Sequence, residues 1–433
     1  MTQPAAVISV SPWRRILDSD GHELDINPNG ALSTQFADNA TIDAFARLRI
    51  SNPETTFENT FQYDLNPLSI VTSATGSGSV VHVPAESEAQ LSTGGTASGD
   101  RAVLQSRKYH RYQPGKSQLV MMTCRMGPPK AAVRQRIGYF DAGNGLFFEQ
   151  TETGAGVVVR TSTSGSPVDV RVDQANWNID RLDGTGDSRI TLDLSKAQIF
   201  LIDFEWLGVG RVRFGFVIDG IPVYCHQILN ANTLSTVYMT TPHLPTRVEI
   251  ENTGTAASLT TMDQYCMSVI SEGGFQEDIG NQFAIGRGVT PLGVTARRPV
   301  LSIRPRAQFN SIVNRGHVIF KQLEMLATNN SCLWELVLGG TLTGATFNPV
   351  DAAYSITEYD VAATVITGGV SVARGFSVAG LGSATGQSIR DVVKNLELYN
   401  NFAGTSGDTL SVVCTSFTGT SNINAALSWT EQR

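Results

Sequence analysis

A chain of 433 residues exceeds the size at which one hydrophobic core usually stops growing, so two domains and an appendage are expected. Apolar residues make up 41% and charged ones only 16%, while 41 glycines and many Ser, Thr and Asn suit turns and polar strand faces, which argues against a helical or disordered chain. A net charge of -7 lacks the basic excess of a general nucleic-acid binder.

The opening MTQPAAVISVSPWRR has no basic stretch followed by an apolar run, and no apolar run reaches membrane-spanning length. Neither a signal peptide nor insertion in lipid is therefore expected. Up to about Pro53, turn signals such as Asp20-Gly21 and Asn27-Pro28-Asn29-Gly30 separate apolar pieces too short for a core, as in an arm that lies along its own body or a neighbouring subunit. From Ile70 to Asp100 the sequence thins into SATGSGSV and LSTGGTASGD, the composition of an exposed loop region.

Strand signals concentrate between Ser106 and Ser271. Ser117–Cys124 reads as a buried strand, and Ile137–Phe140 and Leu146–Glu149 flank the turn Asp141-Ala142-Gly143-Asn144-Gly145. Ile199–Trp206 and Arg211–Ile218 form a second hairpin, and Asp219-Gly220 turns the chain toward Val223–His226. Hairpins repeated at this spacing indicate a sandwich. After a Gly- and Pro-bearing stretch, strands resume at Val300–Ile303, His317–Phe320 and Leu333–Leu338, the signature of a second β domain. Ser388, followed by Ile389, Val392, Val393 and Leu396 at helical spacing with Asp391 as capping partner, predicts one short helix. The expected division is an arm over 1–60, a sandwich over 61–285 and a second sandwich over 286–433.

The second hairpin permits a register argument, because a slip of one residue would invert every side chain. With Gly208-Val209-Gly210 as the turn, Trp206 faces Val212, Phe204 faces Phe214, Ile202 faces Phe216, and Glu205 faces Arg213. Asp203 and Glu205 then share the other face, and Gly215 leaves open space beside them. The expected role of Glu205 and Arg213 is a cross-strand ion pair contributing about 0.2 to 1 kcal/mol.

Other candidates carry less chemistry. Asp183 and Asp187, in the loop Asp183-Gly184-Thr185-Gly186-Asp187, could offer oxygens to calcium but lack EF-hand spacing, so a plain loop without metal is expected. Cys124, Cys225, Cys266, Cys332 and Cys414 are odd in number and scattered, as suits buried free thiols in a protein made in a reducing cytoplasm. Nine basic residues from Arg101 to Arg136 meet no acid until Asp141, and Tyr109, His110 and Tyr112 lie among them. A second acid-free set runs from Arg287 to Lys321. Contact with acidic surfaces of neighbouring subunits, or a solvated strand face, is expected rather than nucleic acid. No histidine pair, G-x-S-x-G elbow or phosphate-binding loop is present, and no cofactor is expected.

Two resemblances extend this reading. Leu201-Ile202-Asp203-Phe204-Glu205-Trp206-Leu207-Gly208 resembles the active-site strand of the laminarinase and lichenase group of glycoside hydrolases, which are concanavalin-like jelly rolls. The likeness implies that Glu205 stands at the acid/base position and Asp203 at the middle Asp, with Leu201 where the nucleophilic carboxylate belongs. Four longer strings resemble a group of tailed-bacteriophage virion structural proteins. They are Ala44-Phe45-Ala46-Arg47-Leu48-Arg49-Ile50-Ser51, Tyr112-Gln113-Pro114-Gly115-Lys116-Ser117-Gln118, Ala197-Gln198-Ile199-Phe200 running into DFEWLGVGRVRFGF, and Ser428-Trp429-Thr430-Glu431. That likeness implies a place on the particle and no activity.

The expectation is thus an all-β protein, a jelly-roll sandwich followed by a second sandwich, that does no catalysis. It is expected on the virion after assembly in the host bacterial cytoplasm, as a homotrimer touching other virion proteins at tail, fibre, baseplate or capsid surface. The alternative is a lectin-like receptor-binding protein or degenerate glycoside hydrolase meeting a host surface glycan through Asp203, Glu205, Trp206 and Trp177.

Overall fold

A computed structural model describes residues 42–45, 47–49, 52–276, 279–379 and 396–433. Among these residues the only helical element is a single 3-10 turn, Gln174–Asn176. Everything else regular is strand. The first set is β1 (Glu54–Thr60), β2 (Ile70–Thr75), β3 (Ser79–Val83), β4 (Glu88–Ser92), β5 (Arg101–Ser106), β6 (Ser117–Arg125), β7 (Val133–Phe140), β8 (Gly145–Thr151), β9 (Gly154–Thr161), β10 (Val168–Asp173), β11 (Gln198–Phe204), β12 (Val212–Ile218), β13 (Ile221–Ile228), β14 (Thr246–Asn252) and β15 (Thr261–Glu272).

These strands build two antiparallel sheets. One runs β13-β12-β11-β6-β15-β4-β3, with β1 also on β15; the other runs β10-β9-β8-β7-β14-β5-β2. The chain changes sheet from β5 to β6, from β6 to β7, and again around β14, so sequence neighbours repeatedly face each other across the core. This is an antiparallel sandwich of the concanavalin-like jelly-roll kind. Its core follows from period-two alternation: Phe200, Ile202 and Phe204 of β11 and Phe214 and Phe216 of β12 turn inward to meet Ile137, Tyr139, Leu146 and Phe148 of the facing sheet. Phe148 lies 5.0 to 5.4 Å from the rings of Phe200, Phe214 and Phe216, in tilted and edge-on arrangements that aromatic rings prefer. β10 is an edge strand whose Val168 and Val170 stay exposed.

The region from Ile70 to Asp100 is not a loop: it contains β2, β3 and β4. Its small residues are there because the backbone is crowded, since a Cβ on Gly94 would lie 1.8 Å from the Ser77 carbonyl oxygen and one on Gly78 would lie 2.0 Å from that of Arg101. Asp100 ties the turns together by accepting from the backbone N–H of Ser77 at 2.8 Å and of Ala97 at 3.0 Å.

Residues 281–432 form a second pair of sheets over their own core. The long strands His317–Ala327 and Ser421–Gln432 pair with each other in one sheet; Arg298–Pro305, Leu410–Ser416, Cys332–Leu338 and Val370–Ser377 lie side by side in the other. Trp429 is buried between them, and its indole N–H donates to Glu431 at 3.0 Å. That buried carboxylate also accepts from Ser355, Thr357 and the Ile356 N–H, so the closing Trp-Thr-Glu string is a structural lock. Ser388, Ile389, Asp391, Val392 and Val393, where a helix is expected, lie outside the described residues, as does the segment before Ile42. The five cysteines are free thiols, four buried and Cys266 half-buried.

Because Phe214 is fully buried and packs edge-on against Phe148, Phe214→Ala should lower unfolding free energy by about 3 to 5 kcal/mol. Urea denaturation followed by tryptophan fluorescence checks this value.

Candidate functional site

β11 and β12 pair in a register that places Asp203 opposite Arg213, Phe204 opposite Val212 and Ile202 opposite Phe214. The expected Glu205–Arg213 pairing is therefore corrected by two residues. The cause is the turn. Strand β11 ends at Phe204, the Glu205 N–H donates to the Arg211 carbonyl, and Leu207 and Gly208 both adopt positive φ, so the turn between Glu205 and Arg211 takes up five residues rather than three. A shift of two preserves which side chains face inward, and the apolar face stands as expected.

Asp203 points outward from the sandwich and is nonetheless completely buried. It accepts hydrogen bonds from Arg213, from Arg49 at 2.5 Å, from the Ser117 hydroxyl at 2.8 Å and from the Tyr224 hydroxyl at 3.0 Å. Burial and the adjoining Asp203 charge together push the Tyr224 phenol up. The cover is a short hairpin of residues 42–49, closed by a bridge between Ile42 and Leu48. Asp43 holds its turn, accepting from the N–H groups of Phe45 and Arg47 and from the Arg47 guanidinium at 2.7 Å. The sheet grips this hairpin from below: Arg213 donates to the Ile42 carbonyl at 2.8 Å, and Arg211 donates to those of Ala44 and Asp43 at 3.0 and 3.2 Å. Arg49 closes the clamp by bridging Asp203 and Glu272.

The four residues nominated for sugar contact are not brought together. Asp203 is sealed. Glu205 is half-buried beyond the end of β11; one oxygen accepts the Arg211 N–H at 3.1 Å, the other has no partner among the described residues, and burial raises its pKa. Trp206 is half-buried, donating to the Met239 carbonyl at 3.1 Å and packing edge-on against Tyr112. Trp177 sits in the core against Phe216, on the opposite side of the sheet from Asp203. Asp183 and Asp187 are exposed; Asp183 accepts from the Thr185 N–H and hydroxyl, and Asp180 ties the loop through the N–H groups of Leu182 and Ser188. No group of three or more potential metal ligands occurs among the described residues.

The basic stretch is likewise corrected: it is neither a solvated face nor a surface reserved for other subunits. Arg101 pairs with Glu249, Arg125 with Asp263 and Arg134 with Glu251, while Arg136 reaches Glu149, Asp169 and Glu249. Arg107 and Lys108 pair with Asp408 and Glu397 of the second sandwich. Lys116 and Arg111 donate to the carbonyls of Gly274 and Ile279. Tyr109, His110 and Tyr112 are buried and offer no stacking platform. The second set behaves alike, with Arg297 on Glu335 and Arg304 on Glu358. On the outer face of the β7–β8 sheet the guanidiniums also lie on rings, Arg136 over Phe147 and Arg160 over Phe140 and Phe147.

No protein-family model matches the chain, and no curated protein matches it. Among solved structures it is similar to a glycosyl hydrolase family protein from Mycobacterium fortuitum, at 9% identity over 50% of this chain and 99% of that one, with a TM-score of 0.35. It is similar to a family 16 glycosyl hydrolase from Mycobacterium smegmatis, at 12% identity over 50% and 100% of the two chains and a TM-score of 0.35. A legume lectin-like domain from Entamoeba histolytica is similar at 9% identity over 49% and 95%, with a TM-score of 0.32.

Two predictions follow from these charges. Removing the Asp203 charge takes a carboxylate from the fully buried Arg213 and leaves Arg49 with Glu272, so Asp203→Asn should cost about 3 to 5 kcal/mol in chemical denaturation. Burial pushes the Glu249 carboxyl up, but Arg247 and Arg101 outweigh it and hold the group at about 2. Folded Glu249 therefore binds its proton later than the unfolded chain does. Its contribution is present above about pH 4.5, is lost as pH falls toward 2, and is on the order of 3 kcal/mol. Stability measured against pH should fall less steeply over that window in Glu249→Gln than in the parent.

Proposed function

We propose that this chain is a non-enzymatic structural protein of a bacteriophage particle, working as a homotrimer that contacts other virion proteins. The observation that carries the non-catalytic part is the state of Asp203. A carboxylate that accepts four hydrogen bonds, two from guanidiniums, and lies beneath its own chain cannot reach a glycosidic bond. Its neighbour at the nucleophile position is Leu201, a buried hydrocarbon. Glycoside hydrolysis needs two carboxyl groups flanking the bond.

The virion placement is supported by where the phage-like strings fall. The string from Ala44 contributes to the covering hairpin, the one from Tyr112 leads into Ser117 beneath it, and the one from Ala197 is the β11–β12 pair that binds it. Three strings separated by up to 150 residues thus belong to one structural unit, as expected if the likeness tracks a shared fold element. Immunogold labelling of intact particles under the electron microscope should decorate one fixed location; particles free of label would end the virion reading. Mass measurement in solution should give three chains per assembly.

A second reading, glycan recognition without cleavage, draws on the part-exposed surfaces of Glu205 and Trp206, side chains of the kinds that meet a sugar hydroxyl and a sugar face. Incubation with polysaccharide should release no new reducing ends, and Glu205→Gln should leave assembly intact. Loss of binding on a glycan array in that variant would favour the second reading, and hydrolysis abolished by it would overturn the first.

A further inference from the structure

The two sandwiches meet at a joint built from the loop after β5 and the residues around Glu397. Lys108 donates to Glu397 at 2.9 Å, Arg107 pairs with Asp408, and Arg315 lies 4.2 Å over the Tyr109 ring. At its centre is His317, the first residue of its strand and only 2% exposed. Its Nε2 faces the backbone carbonyl of Tyr109, which belongs to the first sandwich, and its Nδ1 lies 3.0 Å from the Glu397 carboxylate, which belongs to the second.

A carbonyl oxygen can only accept a hydrogen bond, and so can an ionised carboxylate. Lys108, 2.9 Å away, and the Tyr399 hydroxyl, which donates to it at 2.6 Å, favour the ionised form of Glu397 whatever the charge on His317, against the burial that pushes its carboxyl up. Both nitrogens of His317 must therefore carry hydrogen for both contacts to be bonds. A neutral imidazole has one N–H and one lone pair, and whichever nitrogen lost its proton would aim a lone pair at an acceptor.

The geometry points to His317 as a proton-operated clasp between the sandwiches, closed while the ring holds both protons and slackened when it gives one up. The charged and titratable groups around it fit that role from both sides. Lys108, Arg107, His110 and His243 approach from the first sandwich, and Glu397, Tyr399, Asp408 and Arg315 from the second. The other two imidazoles stay neutral. Burial is the main cause for each, and for His110 the Lys108 charge comes next: His110 is pushed well down and His243 to about 4. Neither neighbour therefore competes with His317 for a proton. The closed joint binds one more proton than the slackened one, so it is favoured at low pH and weakens as pH rises. The ion pairs of Lys108 and Arg107 persist, and the sandwiches loosen without separating.

Hydrogen exchange of the full chain between about pH 6 and 9 tests this, read on peptides covering 107–113 and 396–401 and corrected for intrinsic base catalysis. Protection in these peptides should fall on the order of tenfold with rising pH, while peptides from the sandwich cores hold constant. His317→Gln, which donates through one amide and cannot be charged, should show low protection with no pH dependence. Nitrogen chemical shifts of labelled His317 in the unaltered protein should show both ring nitrogens protonated at pH 6. Corrected protection that does not change with pH, an equal pH dependence in His317→Gln, or a singly protonated ring at pH 6 would each overturn the proposal.

Discussion

The buried contact between Asp203 and Arg213 organises the outward face of the first sandwich. An ionised carboxylate removed from water costs several kcal/mol unless it is paired and its remaining lone pairs are filled. Arg213 alone does not fill them. The balance is supplied by Ser117 from β6, Tyr224 from β13 and Arg49 from the covering hairpin, so three strands and a distant segment are drawn to one point. The hairpin in turn needs donors for its carbonyls, and Arg211 and Arg213 provide them. The surface above Asp203 is filled by the chain's own backbone. The whole binding capacity of Asp203 is thereby committed to the fold.

The same economy of charge governs the opposite sheet. Only 16% of residues are charged, yet the arginines of the outer face of β7–β9 meet carboxylates from β8, β10 and β14 and lie over Phe140 and Phe147. Planar guanidinium groups can do both at once, which lysine cannot. Gly156 belongs to this arrangement, since a Cβ there would stand 2.8 Å from the Arg171 guanidinium. An apolar and cationic outer layer thus stays covered without a third layer of secondary structure.

What the sequence revealed and what it hid divide along one line. Alternation along a strand is local, so the inward faces of β6, β11 and β12 were legible from residues alone. The partner of a charge is not local. Arg101 finds Glu249 nearly 150 positions away and Arg107 finds Asp408 at twice that distance, so a run of bases without nearby acids read as an open surface. The β11–β12 register failed for a smaller reason: the turn contains two glycines, and the residue that lengthens it is Leu207, whose positive φ no pattern announces. The strands between Ile70 and Asp100 were hidden because close packing had selected small residues that look like linker.

The rim of the second sheet shows how this molecule remains itself at high concentration. Along β10, exposed Val168 and Val170 alternate with Asp169 and Arg171, and the outermost backbone groups have no strand beyond them. A bare row of valines there would template the same row on a passing copy, and stacking could continue without limit. Side chains of opposite sign, each already engaged with the neighbouring strands, make such growth pay for breaking existing ion pairs before any new ladder forms. Two charged residues on a single short strand thus guard this edge of the sheet.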